Sequence, residues 1–280
     1  MNPDGNEIWT ATYNGPADGQ DIAESIALGP DGNFIVVGQI RNSGENADAW
    51  IDKYDPDGNP LWEEPIIHNG LANGNDVAHA ITFDLGGNFY VTGSEAVAPG
   101  NSRTSDMWIE KYRPDGTSVW QISYNGPGNA DDAGTDIVLG PDGYLYVTGY
   151  ETGLISGANI LIHKYDLDGN RIWNVTHTGE LTNGYDSGAS IAFDPDGMLY
   201  VGGSEEHIEQ SYNVWINKYN PVDGVPIWTD PIIYDGPVSG EDGAGAIAFD
   251  LAGSLIVSGL ATFLGEGQNS WTRKYYCAGP

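Results

Sequence analysis

Three sets of residues in this chain have the types and spacing that chemistry can use. The first is a series of aspartates, Asp21, Asp76, Asp132, Asp186 and Asp242, separated by 55, 56, 54 and 56 residues. Five carboxylates gathered at one channel mouth would offer a hard cation such as Ca²⁺ the oxygen ligands it takes. The second is a series of rings, Tyr13, His68, Tyr124, His177 and Tyr234, each followed two residues later by a glycine and then by one of those aspartates. An aromatic or imidazole face beside a carboxylate suits a sugar, whose CH groups stack on the ring and whose hydroxyls bond to the acid. The third is Glu24, His79 and Asp136, titratable residues just inside the units, with Asp136 standing where other copies have Ser25, Ala80, Ser190 and Ala246. Such groups are candidates for acid–base catalysis. Each set also has a plainer reading: a carboxylate that accepts N–H bonds from its own loop, a ring that caps a sheet edge, and a buried acid satisfied by its surroundings. No G-x-S-x-G elbow, HExxH or phosphate-cradling glycine motif accompanies them.

The elements that must position these residues are repeated with them. DIAESIALGPDGNFIVVG from Asp21 returns as DVAHAITFDLGGNFYVTG, DAGTDIVLGPDGYLYVTG, DSGASIAFDPDGMLYVGG and DGAGAIAFDLAGSLIVSG, the units starting at 21, 76, 132, 186 and 242. A second half also recurs, as AWIDKYDPDGNPLW, MWIEKYRPDGTSVW, ILIHKYDLDGNRIW and VWINKYNPVDGVPIW; the fifth copy stops at SWTRKYYCAGP, while the chain begins with the missing NPDGNEIW. Short apolar runs bounded by Gly, Pro, Asp and Asn predict four strands per unit, A to D, with hairpin turns at PDGN and DPDGN. Four antiparallel strands per repeat predict a propeller blade. The expected fold is therefore all-β: one five-bladed β-propeller over residues 1–280, in which residues 1–20 complete the last blade and the N-terminal strand closes it.

The Asp-x-Ala starts, the DxxGNxYVTG stretches and the KYDxxGNxxW stretches make the chain resemble the bacterial β-propeller repeat family labelled SBBP, over nearly its whole length. The resemblance implies the propeller fold and no particular activity. That family's name implies seven blades, where five units are counted here.

The nine tryptophans all fall at repeated places and are expected in the core, and the five lysines of the Lys-Tyr pair, Lys53, Lys111, Lys164, Lys218 and Lys274, are expected to pair with a repeated carboxylate. The paired acids of DPDG, such as Asp55 and Asp57, are explained by turn chemistry and lack the downstream acid of a calcium loop. Unlike these, the B-to-C loops differ in every unit, and variable loops on a rigid scaffold are where binding concentrates. In the fourth unit this loop and its flanks hold Glu205, Glu206, His207 and Tyr212, expected together with the D-to-A rings to bind a ligand.

Forty acidic against ten basic residues give a formal net charge of -30, which repels nucleic acid and anionic lipid. No apolar run approaches the roughly 18 residues of a membrane span, so membrane insertion is not expected. The single cysteine, Cys277, makes no internal disulfide and does not fix a compartment. The reading expects a monomeric, secreted or surface-exposed module, its leader not in this chain, that binds a glycan or protein without catalysis and with no cofactor beyond a possible Ca²⁺. The alternatives are a glycoside-processing enzyme with an acidic site at the channel mouth and a structural repeat domain of a larger surface protein.

Overall fold

The computed structural model describes residues 5–41, 46–70, 72, 74–97, 104–155, 157–208 and 211–276, so Cys277 and part of the second B-to-C loop lie outside the described residues. They form an all-β fold of antiparallel sheets, without a helix among them. The chain divides into two compact units, 1–123 and 124–280.

The first unit holds two four-stranded sheets, β1 (Ile22–Leu28), β2 (Phe34–Arg41), β3 (Ala47–Tyr54) and β4 (Ile66–His68), then β5 (Val77–Phe83), β6 (Phe89–Ala96), β7 (Ser105–Tyr112) and β8 (Ser118–Tyr124), whose last residue opens the second unit. The second unit holds β9 (Ala133–Leu139), β10 (Leu145–Thr152), β11 (Ala158–Tyr165) and β12 (Arg171–His177), then β13 (Ser187–Phe193), β14 (Leu199–His207), β15 (Ser211–Tyr219) and β16 (Ile232–Tyr234). Its third sheet is three-stranded: β17 (Gly243–Phe249), β18 (Leu255–Phe263) and β19 (Gly267–Tyr275). In every sheet the order follows the chain, as in a meander. Within each unit the A strands approach one another, β1 against β5, and β13 against β9 and β17. The sheets of a unit thus meet at their first strands.

The repeated motifs have definite physical jobs. Each A strand carries a bulge, with the register shifting between Ala23 and Ser25, Ala78 and Ala80, Gly188 and Ser190, and Ala244 and Ala246, and likewise in β9. The bulge pushes a carbonyl toward strand B, which is why the VTG glycine is required: a Cβ on Gly93 would lie 1.8 Å from the Val77 oxygen, and one on Gly149 1.9 Å from that of Ala133. In the A-to-B and C-to-D turns an Asp accepts backbone N–H bonds two and four residues on, as Asp84 does from Gly86 and Asn88 and Asp55 from Asp57 and Asn59. Turn chemistry therefore accounts for the paired acids.

Four of the five lysines pair with a turn aspartate, and Lys111 lies 5.2 Å from the centroid of the Tyr90 ring. Lys53 pairs with Asp31 and Lys164 with Asp142, both at 2.8 Å, while Lys218 pairs with Asp194 at 3.2 Å and Lys274 with Asp250 at 2.6 Å. Lys53 and Lys164 also donate to the carbonyls of Pro114 and Pro221 in the next sheet, joining neighbouring sheets as well as the strands of their own.

The five unit aspartates hold the D-to-A loop to the end of strand B. One oxygen of Asp186 accepts from Gly179 N at 2.7 Å and the other from Glu206 N at 2.9 Å. Asp21, Asp76, Asp132 and Asp242 repeat both bonds with their own loop glycine and B-strand residue. Asp186→Ala should leave two donors unsatisfied and lower stability by on the order of 1–3 kcal/mol for each, read by chemical denaturation. Asp168→Ala, at an exposed turn, should stay within about 0.5 kcal/mol of the parent.

Candidate active site

At the strands where the sheets of a unit meet, the bulged residue differs in every repeat: Glu24 in β1, His79 in β5, Thr135 in β9, Ala189 in β13 and Gly245 in β17. Bulges re-aim a side chain and are over-represented beside active sites. Thr135 shows the direction, since its Oγ1 donates to the carbonyl of Gly188 in the neighbouring A strand at 2.6 Å. In the first unit the same position puts Glu24 and His79 on the neighbouring strands β1 and β5. Burial holds His79 below its ordinary value, and Glu24 partly offsets that by favouring the imidazolium. Glu24 itself is exposed.

Asp136 is placed differently. Its Oδ2 accepts from Ile191 N at 2.9 Å and from the Ser190 hydroxyl at 3.2 Å, while Oδ1 accepts from Ile137 N. Burial drives its pKa up, against the three bonds. The carboxyl is fully engaged in tying one A strand to the next, so it is not a catalyst in waiting.

The expected calcium ligands are also engaged. Both oxygens of each unit aspartate hold backbone donors within one repeat, and Asp76, Asp132, Asp186 and Asp242 are buried. Among the described residues no group of three or more His, Cys, Asp or Glu is arranged to hold a metal ion.

The D-to-A rings pack on the tryptophans of strand C. Tyr13 lies on Trp50 at 5.2 Å between centroids, His68 on Trp108 at 4.1 Å, His177 on Trp215 at 4.8 Å and Tyr234 on Trp271 at 5.0 Å. Tyr124 meets His163 edge-on, with the Arg171 guanidinium 5.1 Å from its ring, and Arg273 sits 4.1 Å from the Tyr234 ring. These contacts cement the sheets through one side of the rings, while Tyr13 keeps 38% of its surface exposed.

Three of these rings have a buried carboxylate partner, of which only Glu205 is expected at the site from the sequence. Glu95, Glu151 and Glu205 occupy the second place after the VTG glycine, where the first and last units have Ile40 and Ala261. Glu95 contacts His68 Nε2 at 3.0 Å and accepts from Gln121 at 3.1 Å; Glu151 accepts from Tyr124 and Thr176; Glu205 contacts His177 Nε2 at 2.6 Å. A register count from that glycine finds them. Of the expected loop ligands, Glu205 is thus buried in packing and His207 contacts Glu180 at 3.0 Å, whereas Glu206 and Tyr212 remain beside the surface.

No protein-family model matches the chain, and no curated protein matches it. Solved structures do. A protein of unknown function from Dyadobacter fermentans superposes with a TM-score of 0.62 at 11% identity, over 95% of this chain and 81% of that one. A protein of unknown function from Bacteroides caccae gives 0.53 at 12% identity, over 86% and 72%. An α-L-arabinanase from Penicillium chrysogenum, complexed with arabinobiose, gives 0.50 at 12% identity, over 89% and 91%. The likeness is one of fold. It corrects the expectation of a non-catalytic binding module, because the likeness of stated activity is to an enzyme, and the glycoside-processing alternative is the reading carried forward.

The His68 cluster gives a test of the packing role. Burial opposes the imidazolium, but the bonds to Glu110 and Glu95 outweigh it and raise His68 from 6.5 to about 9. Its stabilisation is then complete below 6.5 and lost as pH rises through about 9. The melting temperature of wild type should exceed that of His68→Gln clearly at pH 6, with the gap closing by pH 10.

Proposed function

We propose that this chain is a glycoside-processing enzyme, with Glu24 and His79 as its acid–base pair. The observation that carries the reading is the contrast at one bulge position: Glu24 and His79, on the neighbouring strands β1 and β5, are ionisable, while Thr135, Ala189 and Gly245 are unlike them and smaller. A single asymmetric site needs unlike residues from like repeats, and the bulge is one position that offers them. The fold-level likeness to an arabinanase supports it. Glycosidic cleavage needs a proton delivered to the leaving oxygen and another removed from the attacking water. The Glu24 carboxyl supplies the first, the imidazole of His79 accepts the second, and transfer between the two resets the pair. Burial favours the neutral imidazole that the acceptor role requires. Release of reducing sugar should be measured on arabino-oligosaccharides and a panel of other neutral glycosides. Glu24→Gln and His79→Gln should each lower kcat by about 10²–10⁴-fold, and kcat/KM should rise through a pKa below that of free histidine. Equal rates for wild type and both variants would remove the assignment.

The scaffold proposed for this site is a closed five-bladed β-propeller whose last blade takes residues 8–12 as its fourth strand, as the SBBP-like repeat leads one to expect. The support lies in the first unit. Trp9 Nε1 donates to the Pro56 carbonyl at 3.0 Å, just as the D-strand Trp173 donates to Pro221 at 3.2 Å in the sheet after its own. Trp9 is stacked on Phe34, and Tyr13 on Trp50 repeats His68 on Trp108. The N-terminal segment thus stands to the first sheet as a preceding blade's D strand. Between it and β1–β3 is a 380 Å³ cleft lined by Trp9, Tyr13, Ile26, Phe34 and Trp50. Ile26 is 63% exposed there, whereas its counterparts Ile81 and Ile191 are 7% and 4% exposed beneath a neighbouring sheet. The proposal includes a monomer acting outside the cell. Deleting residues 1–12 should lower the melting temperature and leave β19 an unpaired edge prone to self-association; an unchanged melting temperature would speak against closure by this segment.

A further inference from the structure

The junction of the third and fourth sheets departs from the repeat at three places at once. The D-to-A loop there is one residue longer, with seven residues from Gly179 to Asp186 against six in the other four units. The residue before the unit aspartate is Tyr185, where the others have Gln20, Asn75, Asp131 and Glu241. Tyr150 replaces Gln39, Ser94, Ser204 and Leu260, and Tyr212 replaces Ala47, Ser105, Ala158 and Gln268. The fold works without a tyrosine at any of these places.

The three rings are gathered in the second unit. Tyr150 and Tyr185 have ring centroids 5.6 Å apart, and Tyr185 is 44% exposed. Tyr212 stands opposite Glu206 in the β14–β15 pairing, and Glu206 in turn accepts from Tyr185 N. The loop beneath is fixed at several points: Tyr185 N donates to Glu206 Oε2 at 2.8 Å, Asp186 N to the Ala158 carbonyl at 2.9 Å, and Gly184 N to Leu181 at 2.8 Å. The platform is therefore held in place before any ligand arrives, which lowers the ordering cost of binding.

Charge limits what binds. The second unit has five cations. Lys164, Lys218 and Lys274 pair with turn aspartates and Arg171 and Arg273 lie over Tyr124 and Tyr234, so these five are engaged away from Glu206, the carboxylate bonded to Tyr185 N. An anionic polysaccharide is repelled by such a patch. A neutral sugar is not, because its CH face stacks on an aromatic ring while its hydroxyls donate to carboxylates.

We infer that Tyr185, with Tyr150, Tyr212 and Glu206 beside it, is a subsite for a neutral oligosaccharide; the inference rests on the glycoside reading above and names its substrate class. The probes are linear arabinan and xylan as neutral polymers and polygalacturonate as the anionic one, with retention measured by affinity electrophoresis of the full chain. Wild type should be retarded by a neutral polymer and not by polygalacturonate. Tyr185→Ala should weaken that retardation tenfold or more, Tyr185→Phe should keep most of it, and Glu24→Gln should bind like wild type. Tyr212→Ala, at a second position, should also weaken it should Tyr185→Ala fail to fold. No retention by either neutral polymer, stronger retention by polygalacturonate, or equal binding of Tyr185→Ala would each overturn the subsite. Tyr185-dependent binding without hydrolysis would instead sink the catalytic pair and leave the subsite standing.

Discussion

Each repeat depends on one buried carboxylate that accepts two backbone N–H groups from opposite sides of a loop. The chain must reverse from the outermost strand of one sheet to the first strand of the next, and that crossing leaves donors away from water. An aspartate at the start of strand A satisfies one donor in the D-to-A loop and one at the end of strand B, so a single side chain fixes the crossing and the loop beside it. Everything nearby is positioned from there. The ring two residues before the loop glycine is set onto the tryptophan of the next sheet, and three residues past the aspartate comes the bulge that carries Glu24 or His79. This explains why these carboxylates suit calcium on paper and hold backbone instead. The loop needs them in every unit, bound metal or not.

A repeat gives a control that a single-copy fold lacks, because four other copies show what a position needs for folding alone. The turn aspartates, the VTG glycine and the lysine of Lys-Tyr recur and are explained within the sheet. Glu95, Glu151 and Glu205 recur only in the three middle units, each with a different ring partner, His68, Tyr124 or His177. Such unlike pairs make neighbouring junctions chemically distinct. A chain of near-identical sheets is exposed to misassembly, and a carboxylate buried opposite the wrong ring would lose its hydrogen bonds at a cost of about 1–3 kcal/mol.

The strands, turns and repeat boundaries were legible because period-two patterning and Gly/Asp turns are local signals. Each A strand begins just after its repeat's aspartate, and four of the repeated lysines pair with a turn aspartate. What was not legible depends on contacts between repeats. Nothing in the order His68-Asn69-Gly70 says that the imidazole lies on Trp108, forty residues on. The bulge was hidden for another reason. It adds no residue type of its own, and only pairing shows that Glu24 and His79 stand outside the register of β1 and β5. Tyr185 is hard to single out from sequence although its loop is one residue longer than the other four, because the neighbours that give it meaning, Tyr150 and Glu206, are 35 and 21 residues away along the chain.

The net charge of -30 takes on a different meaning once the cations are located. Four of the five lysines and both arginines of the second unit are tied to turn aspartates or tyrosine rings, so these cations are not beside Glu206 and Tyr185. A face of that sign disfavours every polyanion irrespective of shape, and shape then selects among neutral ligands. Selectivity of this kind needs no arginine clamp or bound metal, which fits a scaffold whose repeated acids are already committed to its own backbone. The chemistry left free for function is therefore what the repeat does not require: unlike residues at the A-strand bulges and tyrosines at one junction.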